Sequence, residues 1–266
     1  MKIALREDMT PGNTLVDRLA YLERIGIEGV ELSAGSLAMT DDEVRAAFAG
    51  SSIRAANIAG GMKLLDPDPA VRERSFDLSS RRLALAAELG AAGVLEVPQF
   101  GRGPALPDLS PLRSAHDLEA GLLGAQLARL APVALAAGVP LFLEPLNRYE
   151  AYLVNRVEQG VDFARAAGPG IATMADFFHM GIEEVDLAAS IRAGGELVAY
   201  VHVADSNRQQ PGNGHLDFTP GFRALKDIGY DGWVGIECRI VVPDGGTFDE
   251  ALAATVAHVR ALWASA

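Results

Sequence analysis

The chain has 266 residues, of which 49% are hydrophobic, and its formal net charge is −12 at pH 7. This length suits one large hydrophobic core, so we expect a single domain over residues 1–266. The negative charge argues against a nucleic-acid partner, because such binding rests on Lys and Arg contacts to phosphates. The single cysteine, Cys238, excludes an internal disulfide and a thiolate metal cluster.

Short aliphatic and β-branched runs alternate with amphipathic stretches along the whole chain, a pattern typical of βα units around a parallel sheet. We predict eight strands, at residues 2–6, 29–33, 53–59, 93–98, 140–146, 171–177, 198–205 and 232–240. Eight such units predict an α/β fold of the (β/α)₈ TIM barrel type. The alternative is an open doubly wound sheet. Such folds usually carry a GxGxxG or GxxxxGK[ST] motif after the first strand, and this sequence has neither there.

The first predicted helix shows how the helices are identified. Thr14 can cap this helix and Gly26 can end it. Between them, apolar residues recur every three or four positions and form one stripe, made of Leu15, Leu19, Leu22 and Ile25. In a later helix, Pro132 should kink or restart the backbone.

Nothing in the sequence indicates secretion or a membrane. Residues 1–6 lack the apolar run and the cleavage site of a signal peptide. We also expect no segment to approach the roughly 20 apolar residues that span a bilayer. The sequence therefore predicts a cytoplasmic protein without a membrane partner.

Four consecutive predicted strands carry an acidic or imidazole side chain at a comparable place: Glu144, Asp176, His202 and Glu237. Their spacings of 32, 26 and 35 residues each match about one βα unit, so the side chains should ring the barrel axis. Three carboxylates in a partly dry mouth need a positive charge, which one divalent ion can supply. Three oxygens and one nitrogen suit Mn²⁺, Mg²⁺ or Co²⁺, with Zn²⁺ also open. Alternatively, each acid is satisfied by Lys or Arg from a neighbouring strand.

Four motifs around these residues resemble the signatures of the xylose-isomerase-like TIM barrel superfamily. Within it they resemble the sugar phosphate isomerase/epimerase group, which contains D-tagatose 3-epimerase and other ketose 3-epimerases. The motifs are EPLNRYE at 144–150, DFFH at 176–179, HVADSNRQQPGNGHLDF at 202–218 and GYDGWVGIE at 229–237. The resemblance implies that the four residues bind the metal, that Glu144 and Glu237 are also the acid/base pair, and that substrate contacts come from His179, Arg208 and Glu150. Ketose 3-epimerases commonly self-associate, so it also allows a homo-oligomer.

The resemblance implies a metal-dependent sugar epimerase or isomerase, with Mn²⁺ as the expected ion, and the chemistry of these residues agrees with it. The ion would polarise a ketose carbonyl and stabilise a cis-enediolate. Glu144 and Glu237 come from strands five and eight, so one can remove a proton from one face of a carbon while the other returns a proton to the opposite face. His179 and Arg208, expected in loops above the metal, can donate hydrogen bonds to an enediolate oxygen.

Two arginines near the predicted ring suggest that the substrate is an anion. By the two-residue period, Arg239 shares the inward face with Glu237 and would contact substrate, and Arg6 ends the neighbouring first strand. Two guanidinium groups suit a sugar acid or a sugar phosphate. Alternatively, the arginines neutralise Glu31, Glu96 or the carboxylate ring.

Two smaller features also have two interpretations. Glu150 either contacts substrate or pairs with Arg148 on the loop surface. The PGNG turn at 211–214 has two glycines, which either let the backbone approach a ligand or only form the turn.

Three other functions compete with the epimerase interpretation. An inosose-dehydratase-like lyase would share the metal and the enolate chemistry. An apurinic-endonuclease-like nuclease needs several metals, and the five histidines and the net charge of −12 argue against it. A non-catalytic sugar-binding barrel would be expected to lack Glu144 or Glu237, and both are present.

Overall fold

The computed structural model describes residues 1–33 and 35–266. Over these residues, eight parallel strands close into a barrel in chain order, with the last strand paired to the first. The closed barrel confirms the predicted fold and excludes the open sheet. The strands are β1 Lys2–Arg6, β2 Gly29–Leu32, β3 Arg54–Ala59, β4 Val94–Glu96, β5 Leu141–Leu143, β6 Ile171–Asp176, β7 Val198–Val203 and β8 Trp233–Ile236.

Helices follow the strands and surround the barrel. They are α1 Leu15–Ile25, α2 Asp41–Phe48, α3 Pro69–Leu89, α4 Ala115–Ala137, α5 Val157–Ala167, α6 Phe177–Glu183, α7 Leu187–Gly194, α8 Thr219–Asp227 and α9 Phe248–Ser265. Helix α1 begins and ends where the sequence predicts. The Asp17 amide donates to the Thr14 hydroxyl at 3.1 Å, and Gly26 follows the helix with a left-handed φ of 73°.

Helix α4 continues through Pro132, so the expected restart of the helix is wrong. A proline removes one backbone hydrogen bond, here the bond to the carbonyl of Ala128 four residues earlier. Both residues lie on the exposed face of α4, where water can reach that carbonyl. The cost of Pro132 is therefore small enough for the helix to continue.

Helix α4 also corrects the expectation that no segment approaches the length of a membrane span. By length and composition alone, Ala115–Ala137 is long and apolar enough to cross a bilayer. In the barrel, α4 packs against α3 and α5. Its Leu123, Leu127 and Leu130 are fully buried in the main hydrophobic cluster. One face of α4 therefore packs in the core of the barrel.

The side chains of the strands alternate between the barrel interior and the layer under the helices. One buried cluster inside the barrel includes Ala4, Ala56, Phe142, Tyr200 and Trp233. Since Tyr200 faces inward, the two-residue period turns His202 inward as well. The register pairs His202 with Asp176 on β6 and with Gly235 on β8, which brings the predicted ligands to the same level of the barrel.

Candidate active site

The four predicted ligands meet at the carboxyl ends of the strands. One ligand atom from each residue lies within 4.8 Å of the others, and all four residues are buried: Glu144, Asp176, His202 and Glu237. We call these residues the carboxylate–histidine ring. Three of its members, Glu144, His202 and Glu237, line a cavity of about 340 Å³, at the face where TIM barrels build active sites.

The two carboxylate oxygens of Asp176 have different surroundings. Oδ1 accepts the backbone N–H groups of Phe178 at 2.7 Å and His179 at 3.1 Å, which caps α6. Oδ2 is fully buried and has no hydrogen-bond partner among the described residues. An orphaned carboxylate oxygen is costly in a protein interior. The donor set therefore fits a cation, and the ring is a candidate site for one divalent metal.

The imidazole of His202 lies between the ring and a further carboxylate. Nδ1 is 3.2 Å from Glu144 Oε1 and 3.3 Å from Glu237 Oε2, while Nε2 is 3.1 Å from Glu31 Oε1. Burial alone would lower the pKa of His202, but the charge of Glu31 and the neighbouring carboxylates of Asp176 and Glu144 raise this pKa well above its usual value. Burial would raise the pKa of Asp176, but the neighbouring His179, His202 and Arg208 side chains outweigh burial and lower this pKa well below its usual range.

Two guanidinium groups hold Glu237. Arg6 donates from Nη1 to Oε1, and Arg208 donates from Nη2 to Oε2 at 2.7 Å. Arg6 also donates to both oxygens of Asp8, at 3.0 and 3.1 Å. The structure therefore favours the alternative in which Arg6 neutralises the carboxylate ring over the one in which it binds an anionic substrate.

Arg239 is exposed and does not line the cavity, so the expected inward position beside Glu237 is wrong. Strand β8 ends at Ile236, and the alternation of faces does not extend as far as Arg239. The Arg239 backbone instead donates to the Arg208 carbonyl at 2.8 Å, and the residue is exposed. This position gives no support to the substrate contact of Arg239, which stays a prediction.

His179 lies in the first turn of α6, so its expected position in a loop is wrong. The backbone N–H of Asn147 donates to His179 Nδ1 at 3.1 Å, so a neutral His179 carries its proton on Nε2. Nε2 lies 3.0 Å from Nη1 of Arg208. A single acceptor within hydrogen-bond distance of both nitrogens can satisfy two donors at this separation. Both residues line the cavity.

Arg208 lies in the loop between β7 and α8, and Asp205 organises this loop. One Asp205 oxygen accepts the amides of Ser206 at 2.7 Å and Leu216 at 3.1 Å, and the other accepts the Gly212 amide at 2.8 Å. A Cβ on Gly214 would lie 2.1 Å from Asp205 Oδ1. The glycines of the PGNG turn therefore let the backbone close around this carboxylate.

Glu150 is exposed and lines the cavity. It does not pair with Arg148, because Arg148 forms two bonds of 2.8 Å with Glu183. Glu150 Oε1 instead accepts from the Asn147 side chain at 2.9 Å. The surface-pair interpretation of Glu150 is therefore wrong, and its contact with substrate stays a prediction.

Sequence reasoning missed Asn147 and the roles of Glu31, Tyr200 and Asp205. Asn147 lies within the EPLNRYE motif but carries no charge to single it out. The sequence suggests Glu31 only as a partner for arginine, although it lies near the carboxyl end of a strand, as the ring residues do. This shared position was a signal that could have placed Glu31 in the site.

The chain is similar to sugar epimerases over nearly its whole length. A family model described as a xylose isomerase-like TIM barrel matches residues 19–258. The chain is 29% identical to 3-dehydro-D-guloside 4-epimerase of Escherichia coli (strain K12), over 92% of this chain and 94% of that protein. It is 34% identical to L-ribulose 3-epimerase of Mesorhizobium japonicum, over 78% of this chain and 67% of that protein.

Solved structures show the same similarity. The crystal structure of 3-keto-D-glucoside 4-epimerase from E. coli matches with a TM-score of 0.86 at 28% identity, covering 98% of this chain and 99% of that chain. The structure of an L-ribulose 3-epimerase matches with a TM-score of 0.78 at 25% identity, covering 100% of this chain and 95% of that chain.

Proposed function

The chain belongs to the xylose isomerase-like TIM barrel family, and from this premise we propose that it is a metal-dependent epimerase that inverts a carbon beside a sugar ketone. One observation carries the proposal. Three members of the carboxylate–histidine ring line a cavity, and the fourth, Asp176, has a buried Oδ2 without a hydrogen-bond partner beside them. Such a site suits a cation together with a small polar substrate.

The proposal includes one divalent ion held by the four residues of the ring, with Mn²⁺ as the expected ion. Three carboxylates and an imidazole suit Mn²⁺, Mg²⁺ or Co²⁺, and Zn²⁺ also accepts this set. When bound, the ion would polarise the ketone and stabilise the negative charge that develops on its oxygen.

Glu144 and Glu237 are the proposed acid/base pair. They follow β5 and β8, which lie three strands apart in the barrel, and both line the cavity. One carboxylate takes the proton from the carbon beside the ketone, which leaves a cis-enediolate. The other carboxylate returns a proton to the opposite face, and the carbon is inverted. Positioned acid/base groups contribute about 10²–10⁴-fold to a rate.

His179 and Arg208 are the proposed donors to a substrate oxygen. Their nitrogens lie 3.0 Å apart, and both are donors when His179 is neutral. An enediolate oxygen within hydrogen-bond distance of both nitrogens would accept from both, and charge on that oxygen strengthens both hydrogen bonds. Glu150, held by Asn147 at the cavity wall, is a proposed acceptor for a substrate hydroxyl.

The proposed substrates are neutral keto-sugars and their glycosides. The relatives' names specify a ketone at C3 with inversion at C4, and a 2-ketose with inversion at C3. Both reactions invert the carbon next to the ketone, so one proton-transfer apparatus serves both. Arg6 is occupied by carboxylates, which supports a neutral substrate over an anionic one.

The test is proton NMR of the Mn²⁺-treated protein with 2-ketoses and 3-keto-glycosides in D₂O, quenched and freed of metal before each spectrum. We expect deuterium at C3 of a ketose or at C4 of a keto-glycoside. Glu144→Gln and Glu237→Gln should each reduce epimerisation by at least about 10²-fold, because each removes one proton-transfer group. Asp217→Asn is the matched control, since this carboxylate is exposed in the β7–α8 loop.

Three outcomes would contradict the proposal. Deuterium at C1 of a ketose would indicate an aldose–ketose isomerase, and an alkene or dicarbonyl product would indicate a dehydratase. Full activity in either glutamine variant would show that the proposed pair does not move the protons.

We also propose that the protein works in the cytoplasm on a small molecule, without a nucleic-acid or membrane partner. The buried free thiol of Cys238, the net charge of −12 and the packing of α4 within the barrel support this. A homo-oligomer stays a prediction.

A further inference from the structure

Glu31 lies outside the carboxylate–histidine ring but contacts its imidazole directly. It is in β2 and only 4% exposed. Its Oε1 and Oε2 lie 3.1 and 3.2 Å from His202 Nε2, and Oε1 also accepts the hydroxyl of Tyr200 at 2.8 Å. The imidazole therefore faces the ring with one nitrogen and Glu31 with the other.

We propose that Glu31 is a positioning residue that fixes the tautomer and the orientation of His202, an inference that rests on the proposed metal-dependent function. A neutral imidazole carries one N–H and one lone pair. A carboxylate at Nε2 holds the N–H there, which leaves the lone pair of Nδ1 directed at the ring. The opposite tautomer would place a proton where the cation binds.

Gly235 provides the space that Glu31 occupies. A Cβ at this position would lie 1.8 Å from Glu31 Oε1 and 2.8 Å from His202 Cδ2. Gly235 is the direct partner of His202 in the register of β7 and β8. Any larger residue would push the carboxylate off the imidazole, so a strand position that favours larger residues holds a glycine here.

Tyr200 fixes Glu31 from the side away from the cavity. Its ring is fully buried, stacks on Phe142 at 5.3 Å and meets the His202 ring edge to face at 5.5 Å. Since Tyr200 and His202 are two residues apart on one face of β7, the strand itself sets their separation. Glu31 is thus held by a hydrogen bond to a fully buried side chain that packs against two other rings.

The test compares the affinity of the full-length protein for Mn²⁺, measured from the paramagnetic resonance of free Mn²⁺. Glu31→Met keeps the size of the side chain but cannot accept from Nε2, and we expect about 10- to 100-fold weaker binding. Glu31→Gln retains an acceptor and should restore part of the loss. Glu96→Gln is the matched control, because Glu96 is an equally buried strand carboxylate that does not contact His202.

A second readout follows the tautomer itself. In the Zn²⁺-loaded protein, ¹⁵N NMR of the histidines should show His202 protonated at Nε2, and this signal should be lost or exchange faster in Glu31→Met. If Glu31→Met does not fold, Gly235→Ala displaces the carboxylate instead and should weaken Mn²⁺ binding in the same way.

The outcomes separate this inference from the proposed function. Unchanged Mn²⁺ affinity in a folded Glu31→Met or Gly235→Ala variant would overturn the role of Glu31 and leave the proposed function standing. A wild-type protein that binds no divalent metal would overturn both.

Discussion

Arg208 contacts three other side chains of the site. It contacts Glu237 at 2.7 Å and His179 at 3.0 Å, and its guanidinium lies 4.4 Å from the centre of the Phe178 ring. It has a left-handed φ of 60°, which is uncommon for a residue other than glycine. Strain of this kind persists where the surroundings hold a side chain in place.

We expect Arg208→Lys to lower kcat/KM by about 10²-fold, because a lysine cannot donate to Glu237 and to a substrate oxygen with the fixed geometry of a guanidinium. The measurement is steady-state epimerisation with the substrate identified by NMR. Arg223→Lys, at an exposed position of α8, should stay within about twofold of wild type. Equal rates for the Arg208 variant and this control would exclude a role in catalysis or binding.

At the scale of elements, the β7–α8 loop depends on Asp205. Burial would raise the pKa of this carboxyl, but the backbone amides of Leu216, Ser206 and Gly212 outweigh burial and lower it. The loop therefore folds around a charge. Because this loop carries Arg208, its order and the geometry of the active site are linked.

Asp205→Ala should lower the free energy of unfolding by about 2–3 kcal/mol, since it removes charged hydrogen bonds to three amides. It should also reduce kcat/KM by displacing Arg208. Urea denaturation and steady-state kinetics measure the two effects. Asp217 is an exposed carboxylate of the same loop, so Asp217→Asn serves as the control. Its free energy of unfolding should differ from wild type by less than about 0.5 kcal/mol. A stable, fully active Asp205 variant would contradict this account.

At the scale of the whole molecule, Glu96 ties the β3–α3 loop to the barrel. It accepts the Gly61 amide at 3.1 Å, the Met62 amide at 2.6 Å and the Ser79 hydroxyl at 2.8 Å, and the Arg82 guanidinium lies near it. Burial dominates over these favourable contacts and raises the pKa of Glu96 to about 7 from 4.5. Folding therefore favours the protonated form of Glu96.

The sign of the resulting pH dependence follows from linkage. Between pH 4.5 and about 7 the folded protein holds a proton on Glu96 that the unfolded chain has lost, so this residue's contribution to stability falls as pH rises. The loss amounts to about 3 kcal/mol. Urea unfolding of wild type and Glu96→Gln across this range isolates the effect, because other groups titrate in both proteins. A stability difference that does not vary with pH would contradict it.

The sequence predicted the fold because the spacing of strands and the periodicity of helices are local properties of the chain. Each of the eight predicted strands overlaps an observed one, and the observed strands mostly end earlier. The prediction for Pro132 was wrong because the cost of a proline depends on which face of the helix it occupies. That face is set by packing and not by the residue itself.

The sequence by itself determined which residues form the ring, since one ligand per βα unit with inward parity leaves the four side chains few other places to lie. Only the tertiary structure decided their surroundings. It left Arg239 outside the cavity lining, paired Arg6 with Glu237, and placed Glu31 against His202, 171 residues away along the chain. The physical reason is that these contacts depend on where each strand ends and on the register at which the barrel closes, and both are set by the packing of the whole sheet.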